Sequence, residues 1–204
     1  MMSKGRLEAF SDGVLAVAIT LLVLDLKVPP PGGAHSLGHD LGQMWPNYAA
    51  YVISFLTIGI IWINHHAMIA RLREPDHAIM TLNLLLLMSI GVLPFATSLF
   101  ATYLREGHGE HLAGAIYGGA FLVMSILFAT LNRHILFVKT HLMALEIPLE
   151  RRRMILTRGV IGLIPYALAT ALAVVSPYVT LGICSAVAVF YALPLASGTE
   201  RRPA

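Results

Sequence analysis

The sequence predicts an all-α integral membrane protein: one domain over residues 1–204 that crosses the bilayer six times, with both termini cytoplasmic. Composition is the first observation behind this. Of the 204 residues, 57% are hydrophobic and 12% charged, whereas a soluble domain carries about 25% charged residues. That is too little charge to solvate a globule. The mean hydropathy of +0.74 also excludes a disordered chain, since disorder needs low hydrophobicity and high charge. The second observation is that the apolar residues run continuously rather than alternating, which selects helices over barrel strands. The third is the placement of the basic residues along the chain.

Six apolar segments can be drawn, at about 10–26, 46–69, 77–103, 112–131, 155–175 and 178–195. Each comes near the roughly 20 residues that a helical span requires, and together they leave no room for a separate soluble domain. Lys4 and Arg6 precede the first segment, and Arg71 and Arg73 lie between the second and third. Arg133, Lys139, Arg151, Arg152, Arg153 and Arg158 lie between the fourth and fifth or at the start of the fifth, and Arg201 and Arg202 follow the sixth. Only Lys27 and Arg105 fall on the other side, a split of 12 against 2. The positive-inside rule then places both termini in the cytoplasm, as an even number of spans requires. The net charge of +3 is accounted for by membrane orientation and needs no nucleic-acid partner.

The connections carry their own signals. Pro29, Pro30, Pro31, Gly32 and Gly33 stop the first helix sharply in the outer loop. The inner stretch 132–153, broken by Pro148, reads as an extension of the fourth helix followed by a basic interfacial segment suited to lipid headgroups. Pro94 and Pro165 sit inside the third and fifth segments and should kink them. Gly114 and Gly118 offer a small-residue face for close helix packing. Cys184, the single cysteine, lies in an apolar run and reads as a buried, inert thiol. The start of the chain lacks a small-residue cleavage site, so the first segment is expected to be retained.

The first segment is unusual. At 100° per residue, Gly13, Val17, Thr20, Leu21 and Leu24 form one stripe, with Asp12 roughly opposite. Such a stripe can face lipid, pack against a neighbour, or line a pore in which Val17, Leu21 and Leu24 are stacked constrictions; periodicity does not separate these. Asp12 is costly in an apolar helix unless paired or near an end, and a helix N-terminus would suit it.

Arg6, then three residues, then Phe10-Ser11-Asp12 leading into the stripe, resembles the signature helix of the transmembrane protein 175 family of potassium channels. Trp62-Ile-Asn64-His65-His66 resembles the family's tryptophan and histidine pair, and Asn83 with Leu93-Pro94-Phe95 resembles its third helix. The resemblance implies a prokaryotic single-repeat member, assembled as a homotetramer in the cell membrane, with the first helix lining a central pore. It implies constrictions at Val17, Leu21 and Leu24, a hydroxyl layer at Thr20, and a supporting network of Arg6, Phe10, Ser11, Asp12, Trp62, His65, His66 and Asn83. Potassium would be the permeant ion, without a cofactor, structural metal or enzymatic activity. The chain has no Thr-Val-Gly-Tyr-Gly filter. It departs from the family at Val17, where isoleucine or leucine is usual, so that a wider neck and weaker potassium preference are expected. Asp25 and Asp40 are candidates for concentrating cations outside.

Two other classes compete. A proton-coupled secondary transporter could use Asp12, His65 and His66 as a relay, although no inverted repeat supports it. A metalloenzyme built on His65, His66 and His77 would need histidines on one face, but adjacent His65 and His66 diverge by about 100° and none of the three stands in a His-x-x-x-His spacing.

Overall fold

The computed structural model describes residues 3–32 and 35–193, all helical apart from turns and one isolated β-bridge. Helix α1 spans Lys4–Leu21 and continues through a 3-10 turn, Leu22–Asp25. Helix α2 (Leu37–Gln43) is a short element of the connection after α1, and α3 (Trp45–Ala70) follows it directly. Helices α4 (His77–Gly91) and α5 (Leu93–Tyr103) form one bent span. Helix α6 (Glu110–Arg133) runs into a π-turn, His134–Val138. Helices α7 (Leu149–Ile161) and α8 (Leu163–Leu172) form a second bent span, and α9 (Pro177–Ala192) completes the described chain.

Five stretches are long and apolar enough to cross a membrane: Lys4–Asp25, Trp45–Ala70, His77–Tyr103, Glu110–Val138 and Leu149–Leu172. Helix α9 is apolar but has 16 residues; the expected end of the sixth segment at residue 195, together with Arg201, Arg202 and Gly33, lies outside the described residues. Bends fall where the prolines place them. Val92 and Gly162, two and three residues before Pro94 and Pro165, keep right-handed helical dihedrals, so the spans bend without unwinding.

Three boundaries differ from the sequence reading. Helix α1 begins at Lys4 rather than near residue 10, which puts Asp12 in its third turn and removes the helix-start explanation for that carboxylate. Charged residues concealed the true start, because Lys4 and Glu8 pair across one turn at 3.8 Å. Helix α7 begins at Leu149 rather than 155, so Arg151, Arg152 and Arg153 are helical. Helix α2 was not anticipated; Ser36 caps it by accepting a bond from the His39 backbone N–H.

Helix α1 packs on α3, α4 and α5, while α6 packs on α4, α5, α8 and α9. An aromatic ladder ties the two regions together. Phe100 of α5 stacks on Tyr117 of α6 at 4.6 Å, Tyr117 meets Phe121 edge-on at 4.8 Å, and Phe121 stacks on Tyr166 of α8 at 5.5 Å. Polar atoms within this core find partners. Ser54 Oγ lies 2.8 Å from Thr97 Oγ1 and 3.0 Å from the Tyr117 hydroxyl. Helices α6 and α8 meet most tightly at Gly118, where an added Cβ would stand 3.0 Å from Thr170 Oγ1 and 3.1 Å from its backbone nitrogen. Gly114 is less constrained, its nearest neighbour at 3.4 Å. Cys184 is buried.

The α3–α4 turn is held by the segment after the π-turn. Arg73 N donates to Leu142 O and Ala144 N to Arg71 O, both at 2.8 Å. Lys139 Nζ pairs with Asp76 Oδ2 at 2.9 Å, while Asp76 caps α4 by accepting from Ile79 N. Burial alone would raise the Asp76 carboxyl; the Ile79 N–H and the Lys139 ammonium outweigh it and hold the group below its ordinary value.

Candidate functional site

The two faces of α1 have different fates. Leu7, Ser11, Leu15, Ala18 and Leu22 recur at spacings of four, four, three and four, and all five are buried against the rest of the chain. The opposite face carries Arg6, Phe10, Gly13, Val17, Thr20, Leu21 and Leu24, all exposed. Val17 is 56% exposed, Leu21 42% and Leu24 71%. A Cβ added at Gly13 would meet nothing within 4 Å. The Thr20 hydroxyl donates to the Val17 carbonyl of its own helix at 2.9 Å. Arg6 and Phe10, grouped in the sequence with the supporting network, therefore share the open face.

The buried face is locked by a directional chain of hydrogen bonds. Because Asn83 Oδ1 accepts, His65 Nε2 is the donor at 2.7 Å. Asn83 Nδ2 donates to Ser11 Oγ at 3.0 Å, and Ser11 donates to the Leu7 carbonyl at 2.9 Å. All three side chains are buried, and they join α3, α4 and α1. Burial makes the chain expensive to break, since each member would be left unsatisfied. Asp12 is held separately, accepting from Trp62 Nε1 of α3 at 2.9 Å. His66 is exposed and stands outside the chain. Helix α1 thus gains three side-chain connections that sequence spacing alone does not give: Ser11 to α4, Asp12 to α3, and Lys4, whose ammonium donates to the Ala70 carbonyl at 3.0 Å.

The C-terminal end of α1 opens on a cleft of about 870 Å³ lined by Asp25, Asp40, Glu106, Lys27 and Arg105 among others. Both acids singled out in the sequence are here, but two cations stand with them. Arg105 is engaged by the Gln43 side chain. Among the described residues, no group of three His, Cys, Asp or Glu side chains is arranged to hold a metal ion.

Comparison with known proteins decides the family. The model of the family described as "Endosomal/lysosomal potassium channel TMEM175" matches residues 6–94. A protein of Streptomyces collinus named a potassium channel is 43% identical over 192 residues, covering 94% of this chain and 92% of that protein. The chain belongs to the TMEM175 family. Another relative named a potassium channel, from Chamaesiphon minutus, is 37% identical over 93% of both chains. The crystal structure of a lysosomal potassium-selective channel TMEM175 homolog from that organism superposes with a TM-score of 0.84 at 35% identity, covering 96% of this chain and 98% of the other. The human relative, named an endosomal/lysosomal proton channel TMEM175, is 40% identical over 117 residues; these are 53% of this chain but 23% of the human protein. The matched segment 6–94 holds the open face of α1, the Ser11–Asn83–His65 chain and the Asp12–Trp62 bond.

Proposed function

We propose that the protein is a potassium-preferring cation channel, leak-like in conduction, formed by a homotetramer in a prokaryotic cell membrane with both termini cytoplasmic. One observation carries this reading. Helix α1 presents Val17, Leu21 and Leu24 on a face that the described residues leave exposed, while its opposite face is pinned by buried hydrogen bonds. A helix fixed on one side and apolar on the other can meet copies of itself around an axis. Val17, Leu21 and Leu24 then form stacked apolar necks, which an ion crosses by shedding water and gaining few ligands. Potassium loses its hydration more readily than sodium and is favoured. Thr20 adds a hydroxyl between the necks, and Trp62, Asp12, Ser11, Asn83 and His65 hold the helix in place. The potassium-channel names of the bacterial relatives support the reading, and it involves no enzymatic chemistry and no cofactor beyond the permeant ion.

A proton-coupled transporter fits the geometry less well. His65 reaches an amide, Asn83, and Asp12 reaches an indole, Trp62. Neither partner relays protons, and His66 lies outside the chain of bonds. Proton conduction through the pore itself stays open to test, given the proton-channel name of the vertebrate relatives.

Reconstitution in planar bilayers under a potassium–sodium bi-ionic gradient tests the proposal. Unitary currents that reverse toward the potassium equilibrium potential are expected. Slow, saturable flux driven by a proton gradient, without unitary steps, would overturn it. Val17→Ile restores the methylene lacking at the first neck and is expected to raise the potassium-to-sodium permeability ratio; an unchanged ratio would remove Val17 from the selectivity argument.

A further inference from the structure

Arg6 stands at the start of the open face of α1, seven residues before Gly13 and eleven before Val17. These offsets put it within about 20° of both around the helix, and roughly 10 Å and 16 Å from them along it. Arg6 is exposed, as are Phe10, Gly13 and Val17. Of the residues on this face, Arg6 alone is charged. The acids of the same helix point elsewhere: Glu8 and Asp12 lie about 160° and about 120° away around the axis. Each has its own partner, since Glu8 pairs with Lys4 at 3.8 Å and Asp12 accepts from Trp62 at 2.9 Å. Among the described residues, the Arg6 side chain makes no ion pair and no hydrogen bond.

Because Arg6 shares its stripe with Val17, an axis lined by one is lined by the other. Copies of α1 around such an axis set their Arg6 side chains in a ring at the N-terminal mouth. Between that ring and the Val17 neck stands Gly13, which has no side chain and has open space around it. The passage is therefore wide there, and a cation meets the ring while still hydrated, before it sheds water at Val17. Repulsion through water is screened by salt, over about 10 Å at 0.1 M and about 3 Å at 1 M. The C-terminal end of the face has no matching array of one sign, since the cleft there sets Asp25, Asp40 and Glu106 against Lys27 and Arg105.

We propose that Arg6 sets the direction of easier conduction. The ring of guanidinium groups lowers the local concentration of cations at the N-terminal mouth, so ions entering from that side carry less current than ions entering from the other. This inference rests on the reading of α1 as the pore wall of a homotetramer. With the N-terminus cytoplasmic, as in that reading, the channel passes inward current more easily than outward.

Single-channel recording of the full chain in planar bilayers with equal potassium chloride on both sides tests the inference. The unmodified protein should rectify at about 0.1 M salt and conduct almost equally in both directions at about 1 M. Arg6→Lys should keep the rectification, and Arg6→Gln should raise the smaller current by about threefold at low salt. Arg6→Cys gives a reading of sign. Membrane-impermeant thiosulfonates bearing an ammonium or a sulfonate are added to one chamber, and the native thiol at Cys184 is buried. The ammonium should reduce, and the sulfonate increase, the current carried by cations entering from the chamber in which the reagent acts. The opposite current should change less. Equal currents in both directions from the unmodified protein at low salt would overturn the inference alone, as would changes of the same sign with both reagents. An absence of unitary currents from the unmodified protein would overturn the channel reading, and the inference with it.

Discussion

Asn83 connects two helices to α4 with a single side chain, accepting from His65 of α3 and donating to Ser11 of α1. Replacing it by Ala leaves the His65 donor and the Ser11 acceptor buried without partners, and is expected to cost about 1–3 kcal/mol. The unfolding midpoint of the purified protein in detergent checks this. Asp76 makes a second prediction, with a definite sign. Its carboxyl is held below the ordinary 3.8, so its contribution to stability is complete above that value and is lost as pH falls through the lower folded value. Asp76→Asn keeps an acceptor for the Ile79 N–H but loses the charge opposite Lys139. The variant should show a flatter loss of stability in acid than the unmodified protein, read as unfolding midpoint against pH. Residues of these two kinds were unequally legible. Ser11, His65 and Asn83 stand out as polar groups on apolar segments, yet residues 72 positions apart in sequence are joined only by tertiary packing. Their grouping came from family resemblance, and His66, grouped with them, lies outside.

At the level of elements, hydropathy located the five stretches long and apolar enough to cross a membrane and missed the starts of the first and fifth. The apolar core of each helix is continuous and easy to see, whereas α1 and α7 begin in charged turns that resemble loops in composition. The π-turn at His134–Val138 has no signature in residue type. Prolines were more informative, because the missing N–H has a fixed position, and the bends at Val92 and Gly162 follow from it. The small-residue face of α6 was visible as Gly114 and Gly118, but sequence could not rank the two. A Cβ at Gly118 would enter the backbone of Thr170, while at Gly119 the nearest atom would be a Thr170 methyl at 3.8 Å. Gly118→Ala is therefore expected to destabilise by about 1–3 kcal/mol, and Gly119→Ala to be near neutral or slightly stabilising. Parallel unfolding of the two variants tests the α6–α8 packing, since adjacent substitutions of the same chemistry should differ only through that contact.

For the molecule as a whole, α1 supplies an apolar face that the described residues leave open, next to a buried face of the same length. A lipid-facing helix and a pore-lining helix look alike in a single chain, which is why periodicity did not distinguish them. They differ in what lies opposite. In the tetrameric channel proposed here, Leu24 of one subunit faces Leu24 of the others across an axis, whereas Val174, beyond α8 and equally exposed at 71%, faces lipid or a loop. Cysteine at the two positions separates these environments. The native thiol at Cys184 is buried and stays out of the reaction. Mild oxidation of the Leu24→Cys protein in membranes should give disulfide-linked dimers on non-reducing gels at a yield independent of dilution into added lipid, because the copies are held together before oxidation. Val174→Cys should give few dimers, declining further as lipid is added. Dimers that form equally at both positions, or that vanish for Leu24→Cys on dilution, would mean that α1 meets its copies only by collision, and the pore would have to be sought elsewhere in the fold.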